Sequence, residues 1–215
     1  MTSLYNRAIT GKGERVNISL LETLIGLQTP RIMDFFATGR NPVRTGNHSP
    51  YASPVYSFKT KDGYISIAAF LNKFWLRLCD TLGLQDLKDD PSYKTLQGRL
   101  YKQKDLQTKL EPKFMEHTTQ KWCELFDKAD IPNAPVYDYV NLFKDPQVLA
   151  SGIKVKTPHS TEGFINTVKL PVNFNNIQLS TNGSVPLHGE HTNEILKSLG
   201  YSSTEIEKFR EIECI

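Results

Sequence analysis

Two runs rich in β-branched and aromatic residues, Val55–Thr60 and Tyr64–Ala69, lie on either side of Asp62-Gly63. Both turn positions tolerate a positive φ, so the pattern predicts an antiparallel hairpin. A lone hairpin is marginal in water and needs a further strand or a packed helix to persist. The residues that follow supply helices. Asn72 is placed to cap a helix that carries Phe74, Trp75, Leu78, Cys79 and Leu82 on one side, and Gly83 ends it. Leu106, Leu110 and Phe114 keep helical spacing, although Pro112 is expected to kink or divide that segment. Thr119–Lys128 repeats the pattern with Trp122, Leu125 and Phe126.

The remaining stretches are read the same way. Glu14–Ile18 reads as a short strand running into Ser19-Leu-Leu-Glu22, a capping box, after which Leu20, Leu21, Leu24 and Ile25 form one apolar stripe. So short a strand requires partners that this sequence does not obviously supply. Residues 39–54 are dense in Gly, Asn, Ser and Pro and read as an irregular loop. Ile131–Val136 (IPNAPV) reads as a rigid extended connector, and Asp90-Pro91 and Asp145-Pro146 as a turn and a helix start. Strand-like patterning follows around Ile165–Leu170 and Phe174–Leu179. Thr192–Leu199 is helical with Gly200 as its stop, and Ser202–Glu205 is a second capping box.

Composition excludes several classes of function. Hydrophobic residues make up 39% of the 215 and charged residues 23%, enough apolar material for a packed core. The 26 basic and 23 acidic residues are interspersed, so the net charge of +3 makes no nucleic-acid footprint. No apolar run approaches the roughly 20 residues of a membrane span. Cysteines 79, 123 and 214 lack a CxxC spacing and read as reduced thiols, which points to a reducing compartment such as the cytoplasm. A mitochondrial address could precede the first residue. His188-Gly-Glu-His191 departs from HExxH and reads as a glycine-bearing entry to a helix, so no metal ligand is assigned. Neither a GxSxG elbow nor a P-loop occurs.

Three segments in a fixed order carry a resemblance. They are TGKGERVNISLLE from Thr10 to Glu22, RTGNHSPYASPVYSFKTKDGYISIA from Arg44 to Ala68, and PLHGEHTNEILKSLGY from Pro186 to Tyr201. Between them fall DDPSYKTLQGR (Asp89–Arg99), IPNAPV (Ile131–Val136) and DPQVLASG (Asp145–Gly152). In this order they resemble the C-terminal portion of the family III CoA-transferases, which include the formyl-CoA and carnitine CoA-transferases. The first segment lies near the middle of such proteins, so the resemblance implies a chain truncated at its N-terminus.

The implied fold class is α/β, an α+β small domain with remnants of a Rossmann-like large domain, from a family that forms interlocked dimers. On this analogy residues 1–28 end the first part of the large domain, 29–54 are a linker and active-site loop, and 55–135 are the small domain. Residues 136–185 are a linker with returning strands, and 186–215 are the C-terminal helices of the large domain. The implied partners are an acyl-CoA and a carboxylic acid, with coenzyme A as substrate and no permanently bound cofactor. A homodimer, or pairing with an N-terminal half, is expected.

The family's chemistry runs through an aspartate that attacks the acyl-CoA carbonyl. It gives a mixed anhydride and then an enzyme thioester. That aspartate belongs to the N-terminal half, so the resemblance implies that the chain alone is inactive and no catalytic residue is assigned. Asp62, Asp90 and Asp145 have structural explanations in their turns and caps. Gly46, Asn47 and His48 occupy the place of a mobile glycine-rich loop that closes over the intermediate. Turn geometry explains Gly46 and Asn47 equally, and His48 reads either as a lid contact or as a surface histidine. Asn72 and Lys73 fall near the CoA-contacting edge of the transferases, while helix capping also accounts for Asn72. The related α-methylacyl-CoA racemases place a glutamate at about Leu71, which cannot carry a proton. A non-catalytic or split-subunit CoA-binding module is the alternative from another class.

Overall fold

The computed structural model describes residues 1–172, 174 and 185–215. They divide into two compact units, Met1–Pro135 and Val136–Ile215.

The first unit opens with three helices, α1 (Thr2–Thr10), α2 (Leu20–Leu27) and α3 (Thr29–Thr38). None of them contains a buried residue. Ser19 caps α2 by accepting from the Glu22 N–H at 3.4 Å, the forward arm of the expected capping box. The expected strand over Glu14–Ile18 is not formed, because no described strand lies alongside it to complete a ladder. α3 occupies the start of what the sequence suggested was linker. Pro30 sits in its first turn, where a missing N–H costs nothing.

The hairpin forms as predicted from β1 (Val55–Lys59) and β2 (Tyr64–Ala68). Tyr56 faces Ile67 and Phe58 faces Ile65 across the register, and all four side chains are buried on one face. The turn differs from expectation, since neither Asp62 nor Gly63 adopts the left-handed conformation. It is instead a wider loop in which the Thr60 N–H donates to the Gly63 carbonyl at 2.9 Å. The Asp62 carboxylate is drawn away to accept from the N–H and hydroxyl of Thr119, at 2.8 and 3.0 Å. Those groups open a distant helix whose first amides lack intrahelical partners, so the helix start shapes the turn.

Helices then cover the buried face: α4 (Asn72–Leu82), α5 (Gln85–Asp89), a 3₁₀ turn (Pro91–Tyr93), α6 (Leu96–Tyr101), α7 (Gln103–Phe114) and α8 (Thr119–Lys128). Trp75, Leu78, Cys79 and Leu82 are buried from α4, and Gly83 closes it as expected. α7 is not divided at Pro112. The proline lies on the exposed side of the last turn, while Leu106, Leu110 and Phe114 are fully buried. Phe114 stacks on Phe58 at 4.1 Å between ring centroids, and its carbonyl accepts the Trp122 indole N–H at 2.8 Å. The segment expected as a connector is a strand. β3 (Asn133–Pro135) pairs antiparallel with β2 through Ile65↔Pro135 and Ile67↔Asn133, giving a three-stranded sheet with β2 in the middle.

The second unit holds α9 (Tyr139–Leu142), α10 (Pro146–Ser151), β4 (Lys154–His159), β5 (Gly163–Val168), α11 (Thr192–Ser198) and α12 (Ser203–Glu211). Asp145 caps α10 by accepting from the Gln147 and Val148 N–H groups. β4 and β5 form an antiparallel hairpin. Apart from Phe174, the expected strand over Phe174–Leu179 lies outside the described residues. The second capping box is complete: Ser202 Oγ accepts from the Glu205 N–H, and the Glu205 carboxylate accepts from the Ser202 N–H. Among the described residues of this unit, only Thr157 and Ile206 are buried.

Candidate functional site

The candidate residues gather in the first unit, where the loop over 44–54 meets the sheet edge and the start of α4. Gly46 sits at φ 58°, a conformation a side chain would strain, and a Cβ there would meet nothing within 4 Å. Its requirement is therefore conformational. Asn47 follows and acts as a strand residue by proxy. Its amide nitrogen donates to the Ser57 carbonyl at 2.5 Å, and its Oδ1 accepts from the Ser57 N–H at 3.1 Å. The free edge of β1 is thus paired by a side chain, and the Ser49 N–H extends that pairing to the Val55 carbonyl at 3.2 Å.

His48 is not the exposed histidine that one reading of the sequence allowed. It is half-buried, its ring 4.5 Å from that of Tyr56, and its Nδ1 is sealed from solvent without a partner. Tyr56 fixes this contact. Its hydroxyl pairs with Ser53 Oγ at 2.9 Å, and burial pushes its pKa up to about 12.

The side chain that joins the candidate segments was not singled out from sequence. Arg99 on α6 is fully buried. It donates to the carbonyls of Ser53 (3.0 Å), Tyr93 (2.8 Å) and Phe70 (2.6 Å), and to Asn72 Oδ1 (3.0 Å). One guanidinium therefore ties the end of the loop, the chain leaving β2 and the first residue of α4. Its bonds to the protein go to neutral acceptors, and burial lowers its pKa from the usual value. Gly98 makes the placement possible. A Cβ there would lie 2.2 Å from the Ser92 carbonyl oxygen, so only glycine lets the 3₁₀ turn close against α6. Its sequence signal is the Gly-Arg pair closing DDPSYKTLQGR.

Asn72 accordingly does not cap α4. The N-cap position is Leu71, which makes no side-chain cap bond, because the Asn72 carboxamide is held by Arg99. Lys73 lies exposed with its ammonium 4.5 Å from the Phe74 ring centroid. The loop over 44–54 is thus held in two places, at the β1 edge by Asn47 and at Ser53 by Arg99, which also holds Asn72, while Lys73 stands outside both sets of bonds.

Asp62, Asp90 and Asp145 are occupied elsewhere. Hydrogen bonds from Thr119 to Asp62, and from Ser92 to Asp90, hold both carboxyls below their usual pKa. Asp145 serves α10. Glu190, between the two histidines, accepts from the Leu187 N–H at 2.6 Å in the turn before α11. Among the described residues, no group of three or more His, Cys, Asp or Glu could hold a metal ion, and no helix is long and apolar enough to cross a membrane. Chemically, the arrangement positions a loop over a helix start; none of its members is a nucleophile paired with a base.

The profile of CoA-transferase family III matches residues 1–192. The chain is 32% identical over 199 residues to the succinyl-CoA:glutarate CoA-transferase of Homo sapiens, covering 93% of this chain and 45% of that protein. It is 28% identical over 218 residues to the (R)-2-hydroxy-4-methylpentanoate CoA-transferase of Clostridioides difficile, covering 100% of this chain and 54% of that one. Among solved structures, a CAIB/BAIF family protein from Brucella suis superposes with a TM-score of 0.78 at 26% identity. That match covers 92% of this chain and 51% of the other. A protein from M. tuberculosis shares the fold at a TM-score of 0.74 and 20% identity, covering 89% and 50%. The chain spans about half the length of the curated relatives it matches.

Proposed function

Since the chain belongs to CoA-transferase family III, we propose that it serves the transfer of CoA between an acyl-CoA and a carboxylic acid. The nucleophilic aspartate lies outside these 215 residues. In this reading that carboxylate attacks the thioester carbonyl and expels the CoA thiolate, leaving a mixed acyl anhydride. The thiolate then attacks the aspartyl carbonyl of the anhydride, releasing the first acid and leaving an aspartyl-CoA thioester. The acceptor acid takes over the CoA by the same two exchanges in reverse. The role of this chain is to seat the loop over 44–54 beside the start of α4, where a closing segment excludes water from the anhydride.

The observation that carries the reading is the family match over residues 1–192, which contains both the Asn47 pairing to β1 and the Arg99–Asn72 bond. The racemase reading has no support at its required position, since Leu71 holds no proton. The three free thiols fit a reducing compartment such as the cytoplasm.

A split-subunit reading is favoured by one specific observation. The first three helices leave Leu20 at 83%, Leu27 at 75% and Phe36 at 70% exposure, an apolar surface of the kind that partners cover. An N-terminal half or a second copy of the chain would supply that cover.

Both parts are tested by mixing the chain with the N-terminal half of the human relative and following CoA exchange from succinyl-CoA to glutarate. The expected result is no turnover and no covalent adduct on the chain alone, with exchange appearing in the assembled mixture. An acyl or CoA adduct on the isolated chain would place the nucleophile within it. Absence of exchange in a mixture shown to have assembled would sink the transferase reading.

A further inference from the structure

The helices α1–α3 and the loop over 44–54 meet at one side chain, Tyr51. Its hydroxyl donates to the Asp34 carboxylate and accepts from Arg31 Nη1 at 3.2 Å. The Arg31 guanidinium also lies over the Tyr51 ring, 4.9 Å from its centroid. Arg31, Ile32 and Asp34 are the half-buried residues of α3, and every other residue of that helix is exposed. Among the described residues, no other hydrogen bond or ion pair joins residues 1–38 to anything beyond Arg40. Helices without a buried residue have little but this contact to set where they lie.

The loop is pinned on both sides of Tyr51. Asn47 holds it to β1, the Ser49 carbonyl accepts from Gln103 Nε2 at 2.8 Å, and the Ser53 carbonyl accepts from Arg99. Those bonds run to the sheet and to α6 and α7, whereas the Tyr51 hydroxyl bonds to α3. Ser49 connects the two directions. Its Oγ accepts from the Tyr51 N–H at 3.3 Å, and its own N–H donates to the Val55 carbonyl at 3.2 Å. A continuous path of bonded groups therefore runs from Asp34 through Tyr51 and Ser49 to the start of β1.

The chemistry of the contact suits a fixed link. A hydroxyl that donates to a carboxylate makes a charge-assisted bond, stronger than a neutral one. The Asp34 bond raises the Tyr51 pKa above the ordinary tyrosine value, so the hydroxyl keeps its proton at neutral pH. The contact is present below that ordinary value and is lost as the pH rises through the raised one.

We propose that Tyr51 is a positioning residue that couples α3 to the loop over 44–54, so that whatever seats on α1–α3 is felt in the loop. Such coupling is reciprocal: if the state of α3 biases the loop, the state of the loop biases α3 equally. It stands on bonds within this chain and does not depend on the transferase reading.

Amide exchange at Ser49 in the 215-residue chain tests the coupling, because the amide lies in the loop and the perturbation is made on α3. Asp34→Ala is expected to speed that exchange about twofold to fivefold, the range for an exposed charged contact. Tyr51→Phe keeps the ring, drops the hydroxyl and is expected to do the same. The double variant should exceed neither single one, since both remove one interaction. Met33→Ala, at an exposed position on the same helix, is expected to leave Ser49 unchanged. The amides of the buried Leu78 and Cys79 should hold their rates in every variant. In Asp34→Ala the Tyr51 ring signals should also titrate at lower pH than in the parent chain. An unchanged Ser49 rate in Asp34→Ala overturns the proposal, as do additive effects in the double variant. Equal acceleration at Ser49 and Leu78 overturns it too, because that is a general loss of stability. The transferase reading is untouched by these outcomes and stands or falls with CoA exchange.

Discussion

Helices α2 and α4 make an instructive pair. Each carries an apolar stripe at helical spacing. Yet α4 buries Trp75, Leu78, Cys79 and Leu82, whereas α2 buries nothing and leaves Leu20, Leu21, Leu24 and Leu27 more than half exposed. The same contrast holds between the regions around them. Residues 55–131 contain the whole main core cluster, and residues 1–38 contribute no member to it. Local patterning therefore specifies a helix without specifying what it packs on. Stability comes from the second requirement, because most helical stability in proteins derives from tertiary burial of the apolar face.

Five substitutions break or sharpen that comparison. The largest loss is expected for Arg99→Met, which leaves the Ser53, Tyr93 and Phe70 carbonyls without their buried donor. Urea denaturation should register about 3–5 kcal/mol, with the loop over 44–54 loosened first. Next, Leu110→Ala in the core is expected to cost about 2–5 kcal/mol, and Leu24→Ala on α2 about 0.5 kcal/mol at most. Equal effects of these two would erase the distinction between the regions. If a partner half covers α2, the Leu24→Ala effect should grow in the mixture and stay small in the chain alone.

The fourth substitution separates site from core. Asn47→Ala removes two hydrogen bonds at the edge of β1. It is expected to lower stability by about 1 kcal/mol while speeding amide exchange at Ser57, with α7 and α8 unaffected. The smallest effect is a pH dependence at the turn. Asp62 has its folded pKa lowered by the Thr119 bonds, so its contribution is fully present above the ordinary carboxylate pKa. It is lost as the pH falls through the depressed folded value. The difference in Tm between the parent chain and Asp62→Asn should therefore narrow towards acid, and a gap that widens instead would contradict the assigned contact.

The same division between local and distant determinants decides what the sequence could reveal. The hairpin, the helices around Trp75 and Trp122, the Asp145 cap and the Ser202–Glu205 box all depend on neighbours within a few positions, and all are present. The Asp62-Gly63 turn was misread because its geometry is set by Thr119, 57 positions away. IPNAPV was read as a connector because its strand identity comes only from lying beside β2. Asn72 was assigned a cap by its position before an apolar run, but Arg99, 27 residues on, competes for its carboxamide. Arg99 itself escaped notice because its acceptors lie at 53, 70, 72 and 93 and include three backbone carbonyls, which have no sequence signature. His48 was half legible. Its loop was recognised, but its packing against Tyr56 was not.

Hydrogen–deuterium exchange across the 215-residue chain tests the central contrast most directly, first alone and then with the N-terminal half of a relative. The account predicts strong protection over 55–131 in both samples. For residues 1–38 it predicts near-unprotected amides alone and protection only in the mixture. Protection of α1–α3 equal to that of the core in a monomeric sample would contradict it, because those helices would then need no cover.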